Sequence, residues 1–195
     1  MPTKLAERDQ FTIEAYLEFA EGRPEGERWE LIEGVPVVSP SPSPVHQVIS
    51  GNVYMLLGQA KIQSGATWVP SLGIGTIVPI SPRSLPQPDV MVYESPRVME
   101  SASPLTDDVL VLFEVLSKSN TKADQAWRRK VYASVPNCRH YIAIDASKVA
   151  AVRYDRDIGW ARAADLDALT DTLELPALGT RFPLSDIYRW TPLGV

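Results

Sequence analysis

A single cysteine, Cys138, leaves this chain without an internal disulfide framework or a cysteine-based zinc site, and suits a reducing cytosol. Two histidines, His46 and His140, are too few for a His-rich metal centre. Any metal must therefore rest mainly on oxygen ligands, which favours Mg²⁺, Mn²⁺ or Ca²⁺ over zinc. No run approaches the ~18–20 apolar residues that span a bilayer, and the N-terminus lacks the apolar segment of a secretory signal. The expectation is a soluble, cytoplasmic protein with no membrane partner. Internal repeats, charge blocks and low-complexity tracts are also missing, and the 17 prolines gather in loops such as 39–46 and 79–88 without dividing the chain.

What is present fits one compact domain over residues 1–195, with 45% hydrophobic residues to build its core. The net charge of −5 argues against a protein that coats nucleic acid, but not against an enzyme that touches a few phosphates. Apolar periodicity predicts a helix over 11–20, a hairpin of 29–32 and 35–39 closed by Glu33-Gly34, and a helix capped by Ser43 and running to about 60. Strands are expected at about 67–78, 89–93 and 109–116. A helix over 122–135 follows, then strands at 140–145, 149–155, 158–163 and 172–175, and a short helix after Pro183. This order predicts an α/β fold, a mixed sheet with helices on its faces.

Two apolar strands each carry one carboxylate: Asp89 in QPDVMVYE (87–94) and Glu114 in VLVLFEVLSKSN (109–120). Alternation sets Leu110, Leu112, Glu114 and Leu116 on one face, with an apolar opposite face, so 109–116 reads as a central strand. An ionised carboxylate there is costly unless a cation meets it. If the two strands are neighbours, Asp89 and Glu114 converge and could share a divalent ion. The alternative is that Asp89 caps a turn and Glu114 pairs with an arginine. Glu30, in WELIEG (29–34), is a better third acid than Glu33, which belongs to the turn.

In the helix 122–135, Ala123, Trp127, Val131 and Val135 form the expected buried stripe, with Asp124, Arg128 and Tyr132 beside it. Arg128 is either a surface partner of Asp124 or a cation beside a scissile phosphate. Lys130 turns to nearly the opposite side. Lys118 shares the face of Glu114 only if the strand continues through Ser117. His46, near a helix N-terminus, could contact substrate or serve as a structural hydrogen-bonding residue.

Taken in order, W-E-L-I-E-G (29–34), S-P-S-P-x-H (41–46), Q-P-D-V (87–90), E-V-L-S-x-S (114–119), D-x-x-x-R-x-x-x-Y (124–132) and H-Y-I-A-I-D (140–145) resemble the Uma-two family, over about residues 10–155. That family belongs to the restriction-endonuclease-like PD-(D/E)XK superfamily. The resemblance implies a restriction-endonuclease-like core and a Mg²⁺ or Mn²⁺ site built on Asp89 and Glu114, with Glu30 beside it. The implied reaction is metal-dependent endonucleolytic hydrolysis of phosphodiester bonds, in DNA rather than RNA, by a homodimer. Arg128 stands where the family usually offers a lysine, and Leu116 stands where the superfamily has its own. The runner-up reading is a nuclease fold that has lost its chemistry and works as a binding or regulatory module.

Overall fold

The computed structural model describes residues 10–24, 26–39, 41–94 and 105–194, so residues 1–9 of the N-terminal segment read above for a secretory signal lie outside it. Helix α1 (Ile13–Glu21) begins at Thr12, whose side chain accepts from the Ala15 N–H. Strands β1 (Arg28–Ile32) and β2 (Val35–Ser39) form the expected hairpin. Its turn places Glu33 at φ 50° and Gly34 at φ 79°. The Gly34 N–H donates to the Arg83 carbonyl at 2.7 Å, and a Cβ on Gly34 would stand 2.8 Å from that of Gln10. Gly34→Ala therefore combines left-handed strain with a clash, and thermal unfolding should show a loss of about 1–3 kcal/mol. An unchanged midpoint would contradict this packing.

Helix α2 (Pro44–Ser64) is capped by Ser43 and ends on Gly65 in the left-handed conformation, one turn beyond the expected end. The strand expected over 67–78 divides into β3 (Val69–Leu72) and the two-residue β4 (Gly75–Thr76), because Gly73 turns the chain at φ 64°. Then come β5 (Val90–Tyr93), β6 (Leu105–Thr106), the long β7 (Val109–Leu116) and helix α3 (Lys122–Tyr132). The chain closes with β8 (His140–Asp145), β9 (Ala151–Asp155), β10 (Ala161–Leu166), β11 (Thr172–Leu175), β12 (Thr180–Pro183) and helix α4 (Leu184–Ile187).

Six strands make one sheet in the order β10-β9-β8-β7-β5-β3. Only β7 and β8 run parallel within it, and α3 is the crossover that such a pair requires. Both faces of β7 are covered, as its two-sided apolar pattern predicts. One face packs Val111, Phe113 and Val115 under α2 and the β11–β12 hairpin; the other packs Leu112 and Tyr141 under Val131 and Tyr132 of α3.

The expected buried stripe of this helical segment holds at Val131 and Val135 but not at its start, where Ala123 is exposed and Trp127 only half-buried, while Tyr132 is fully enclosed and Arg128 points inward. The physical reason lies beneath the helix: Glu114 and Glu30 face α3, and their charges draw the guanidinium in. Cys138 is buried, with its thiol pushed up to about 12 by burial, consistent with a packing role. Among the described residues no helix is long and apolar enough to cross a membrane.

Candidate active site

Three backbone devices bring three acids to one place. Asp89 follows Pro88 at the mouth of the sheet, one residue before β5. Its N–H donates to the Phe113 carbonyl at 3.1 Å, while its Oδ2 accepts the Val115 N–H at 2.7 Å. The side chain thus stands in for a rung of the β5–β7 ladder and is locked beside Glu114. Glu30 arrives from the hairpin, which is held by paired bonds between Leu31 and Leu85, and its Oε1 accepts the Gln87 N–H at 2.7 Å. All three are buried, with exposures of 3% for Glu30, 7% for Asp89 and 6% for Glu114.

Two arginines meet them. Arg128 Nη1 donates to Glu114 Oε1 at 2.8 Å and Glu30 Oε1 at 3.1 Å, and its Nη2 donates to Glu30 Oε2 at 2.7 Å. The expected Asp124–Arg128 surface pair is not made. Asp124 instead closes a capping box with Thr121, freeing Arg128 to turn inward. Arg28 contacts Asp89 Oδ1 through Nη1 and the Gln87 carbonyl through Nη2. His46 Nε2 lies 3.2 Å from Asp89 Oδ2, on the first turn of α2 where Ser43 caps the helix. The Tyr132 hydroxyl donates to Glu114 Oε1 at 2.6 Å.

The environments drive the acids apart. Burial pushes Glu114 up to about 7, against the opposing charge of Arg128, with Asp89 and Glu30 adding to the rise. Burial also acts on Asp89, but the His46 hydrogen bond and the Arg28 charge outweigh it and hold that carboxyl below its ordinary value. A low-pKa and a raised carboxyl therefore sit side by side.

These groups line an open cavity of about 470 Å³, together with Lys118 and the Ser117–Asn120 turn. The strand ends at Leu116, so Lys118 does not share the Glu114 face as a strand residue would, yet it reaches the cavity from the turn. Lys130 is exposed and acts on Glu33 instead. Glu33, expected merely to be solvated, accepts from Ser81 and from the Trp127 indole at 3.0 Å, tying the hairpin to α3. Sequence reasoning missed Arg28. Its signal was present, because residues 28 and 30 share one face of a strand.

Among the described residues, no group of three or more histidines, cysteines or acids stands arranged to hold a metal. The donor chemistry nevertheless fits a hard cation: Glu30, Asp89 and Glu114 offer only oxygens. What fills the space between Glu30 and Glu114 is the Arg128 guanidinium. A divalent ion bound by Glu114 and Asp89 would compete with it for Glu114 Oε1.

The fold is that of a nuclease-like α/β protein, a mixed sheet flanked by helices. A crystal structure described as that of "a putative nuclease belonging to DUF820", from Anabaena variabilis, superposes with a TM-score of 0.72. It is 15% identical, and the match covers 92% of this chain and 98% of that one. The family model Uma2, described as "Putative restriction endonuclease", matches residues 13–185, and the chain belongs to that family. No curated protein matches.

Proposed function

We propose that the protein is a metal-dependent endonuclease that hydrolyses phosphodiester bonds, with DNA as its substrate. The observation that carries this reading is the convergence of Glu30, Asp89 and Glu114, all buried and all oxygen donors, with two guanidinium groups at one open cavity. Such a mixture suits a phosphodiester: arginines recognise the phosphate oxygens, and carboxylates serve a Mg²⁺ or Mn²⁺ ion. Asp89 and Glu114 would hold that ion, with Glu30 beside them. When bound, it would lower the pKa of an attacking water and stabilise charge developing on the phosphate.

The residues themselves perform the remaining tasks. Asp89 is kept ionised by Arg28 and His46, ready to act as a ligand. Burial raises Glu114 to about 7 in the absence of a cation, and beside a bound ion it would give up that proton and serve as an ionised ligand. Arg128 is a poor proton acceptor and works as a positive charge, held over Glu30 and Glu114 until a phosphate offers it new oxygens. Lys118 and His46 line the route by which a strand would enter. Two such active sites, one in each subunit of a homodimer, would allow both strands of a duplex to be cut.

The saturation of these acids by two arginines favours a second reading, a nuclease fold that binds nucleic acid without cutting it. Incubation with supercoiled plasmid and with single-stranded DNA, in Mn²⁺, Mg²⁺ or EDTA, separates the two. The nuclease gives nicked or linear product only with metal. Binding without product in any condition leaves the second reading.

A further inference from the structure

Helix α3 separates two hollows. Its inward flank carries Arg128 to the acids, while the next flank carries Lys122 and Arg129, seven residues apart and so on one line. These two face β8, β9 and β10 across a second cavity of about 280 Å³. Arg162 contributes a third cation, and no carboxylate lines the space, although acids outnumber bases 24 to 19 in the chain. Arg162 is committed to Asp165 at 2.6 Å and to Tyr154. Among the described residues, Lys122 and Arg129 have no carboxylate partner.

The floor holds the second observation. Tyr141 lines this cavity and is 1% exposed, yet its hydroxyl has no hydrogen-bond partner. Buried hydroxyls are normally satisfied, and leaving one unmade is costly. The group is not loose. The Tyr141 ring stacks on Tyr154 at 5.7 Å with an interplanar angle of 15°, and the Arg129 guanidinium sits 5.0 Å over the Tyr154 ring. Next along β8, the small Ala143 leaves space that a larger side chain would fill.

Two cations without a carboxylate partner and a hydroxyl with a hydrogen to give define a ligand that is anionic and rich in acceptors. We propose that this cavity is a phosphate-binding subsite, distinct from the carboxylate site and separated from it by α3. The cavity is large enough for one phosphate group with its ester substituents. Its source is either a phosphate of the nucleic-acid strand, which rests on the nuclease reading, or free phosphate, which does not.

The test is binding in EDTA, so that cutting plays no part and failure of the nuclease reading is seen separately as a lack of cleavage with metal. Fluorescence anisotropy of a labelled single-stranded oligonucleotide and a ³¹P titration with inorganic phosphate are compared for wild type, Tyr141→Phe and Lys122→Gln/Arg129→Gln. Tyr141→Phe should raise the melting temperature, since it deletes an unsatisfied group, yet weaken binding by about tenfold or more. The double substitution should flatten the salt dependence of oligonucleotide binding by about 0.7 in log–log slope, the share of one single-strand phosphate. Loss confined to the oligonucleotide assigns the subsite to the strand, and loss confined to inorganic phosphate assigns it to the free ion. Unchanged binding of both ligands by Tyr141→Phe overturns the subsite, as does unchanged binding by the double variant.

Discussion

Glu114→Gln should cut phosphodiester hydrolysis by about 1000-fold while making the protein more stable above neutral pH. On the proposed reading the loss follows from removing a charged oxygen ligand, since a bound cation would supply several kcal/mol of transition-state stabilisation. The gain follows from the site's own electrostatics. Burial raises Glu114 from 4.5 to about 7, so folding disfavours its ionised form. Below about pH 4.5 the group is neutral in both folded and unfolded states and contributes nothing. As pH rises toward 7, the unfolded chain loses the proton while the folded chain keeps it, and stability declines with each pH step. Above 7 the cost levels off at about 3 kcal/mol, at 1.36 kcal/mol per pKa unit. Glutamine resembles the neutral acid and still offers an oxygen to Tyr132 and Arg128. Chemical denaturation across pH 4–8 should therefore show the variant matching wild type at pH 4 and exceeding it at pH 8. A variant less stable than wild type at pH 8 would refute this assignment of Glu114.

Arg128→Met should destabilise the metal-free protein by about 3–5 kcal/mol and tighten Mn²⁺ binding by at least tenfold. The guanidinium bridges Glu30 and Glu114 through three hydrogen bonds of 2.7–3.1 Å, so its removal leaves buried carboxylates without their cation. An incoming divalent ion then meets no competitor and restores part of the lost stability by mass action. Arg128→Lys, with one compact charge on a flexible stem, should lie between the two. Calorimetric titration at pH 8 and melting with and without Mn²⁺ measure both effects. Equal Mn²⁺ responses in wild type and Arg128→Met would show that arginine and ion do not share a place.

Much of this site is legible in sequence because it depends on strand alternation. The two-sided apolar pattern of 109–116 marks a central strand, and Glu114 stands out as the charge that does not belong there. The hairpin at Glu33-Gly34 and the cap at Ser43 are local turn and capping chemistry, and both occur where they are expected. What alternation does not reveal is which charge meets which. Helical spacing favours Arg128 with Asp124, four residues away, but buried acids from β1 and β7 draw it elsewhere. A local rule worth a few tenths of a kcal/mol yields to the desolvation of whole charges. Arg28 escaped notice for a similar reason: its partner Asp89 lies 61 residues along the chain.

The lysine that the superfamily would lead one to expect is not replaced in kind. Its charge is supplied at the Glu30–Glu114 pair by Arg128, which cannot readily accept a proton. The open cavity beside Arg28, His46 and Lys118 is the space in which a phosphate would meet them.

The most direct test of the account is the rate at which supercoiled plasmid is nicked by wild type and by Asp89→Asn, each with Mn²⁺ and with EDTA. Asparagine keeps an oxygen for the Val115 N–H, so the β5–β7 junction survives while the charge is lost. The account predicts nicking by wild type only with Mn²⁺, and none by the folded variant. Nicking by Asp89→Asn at the wild-type rate would contradict it.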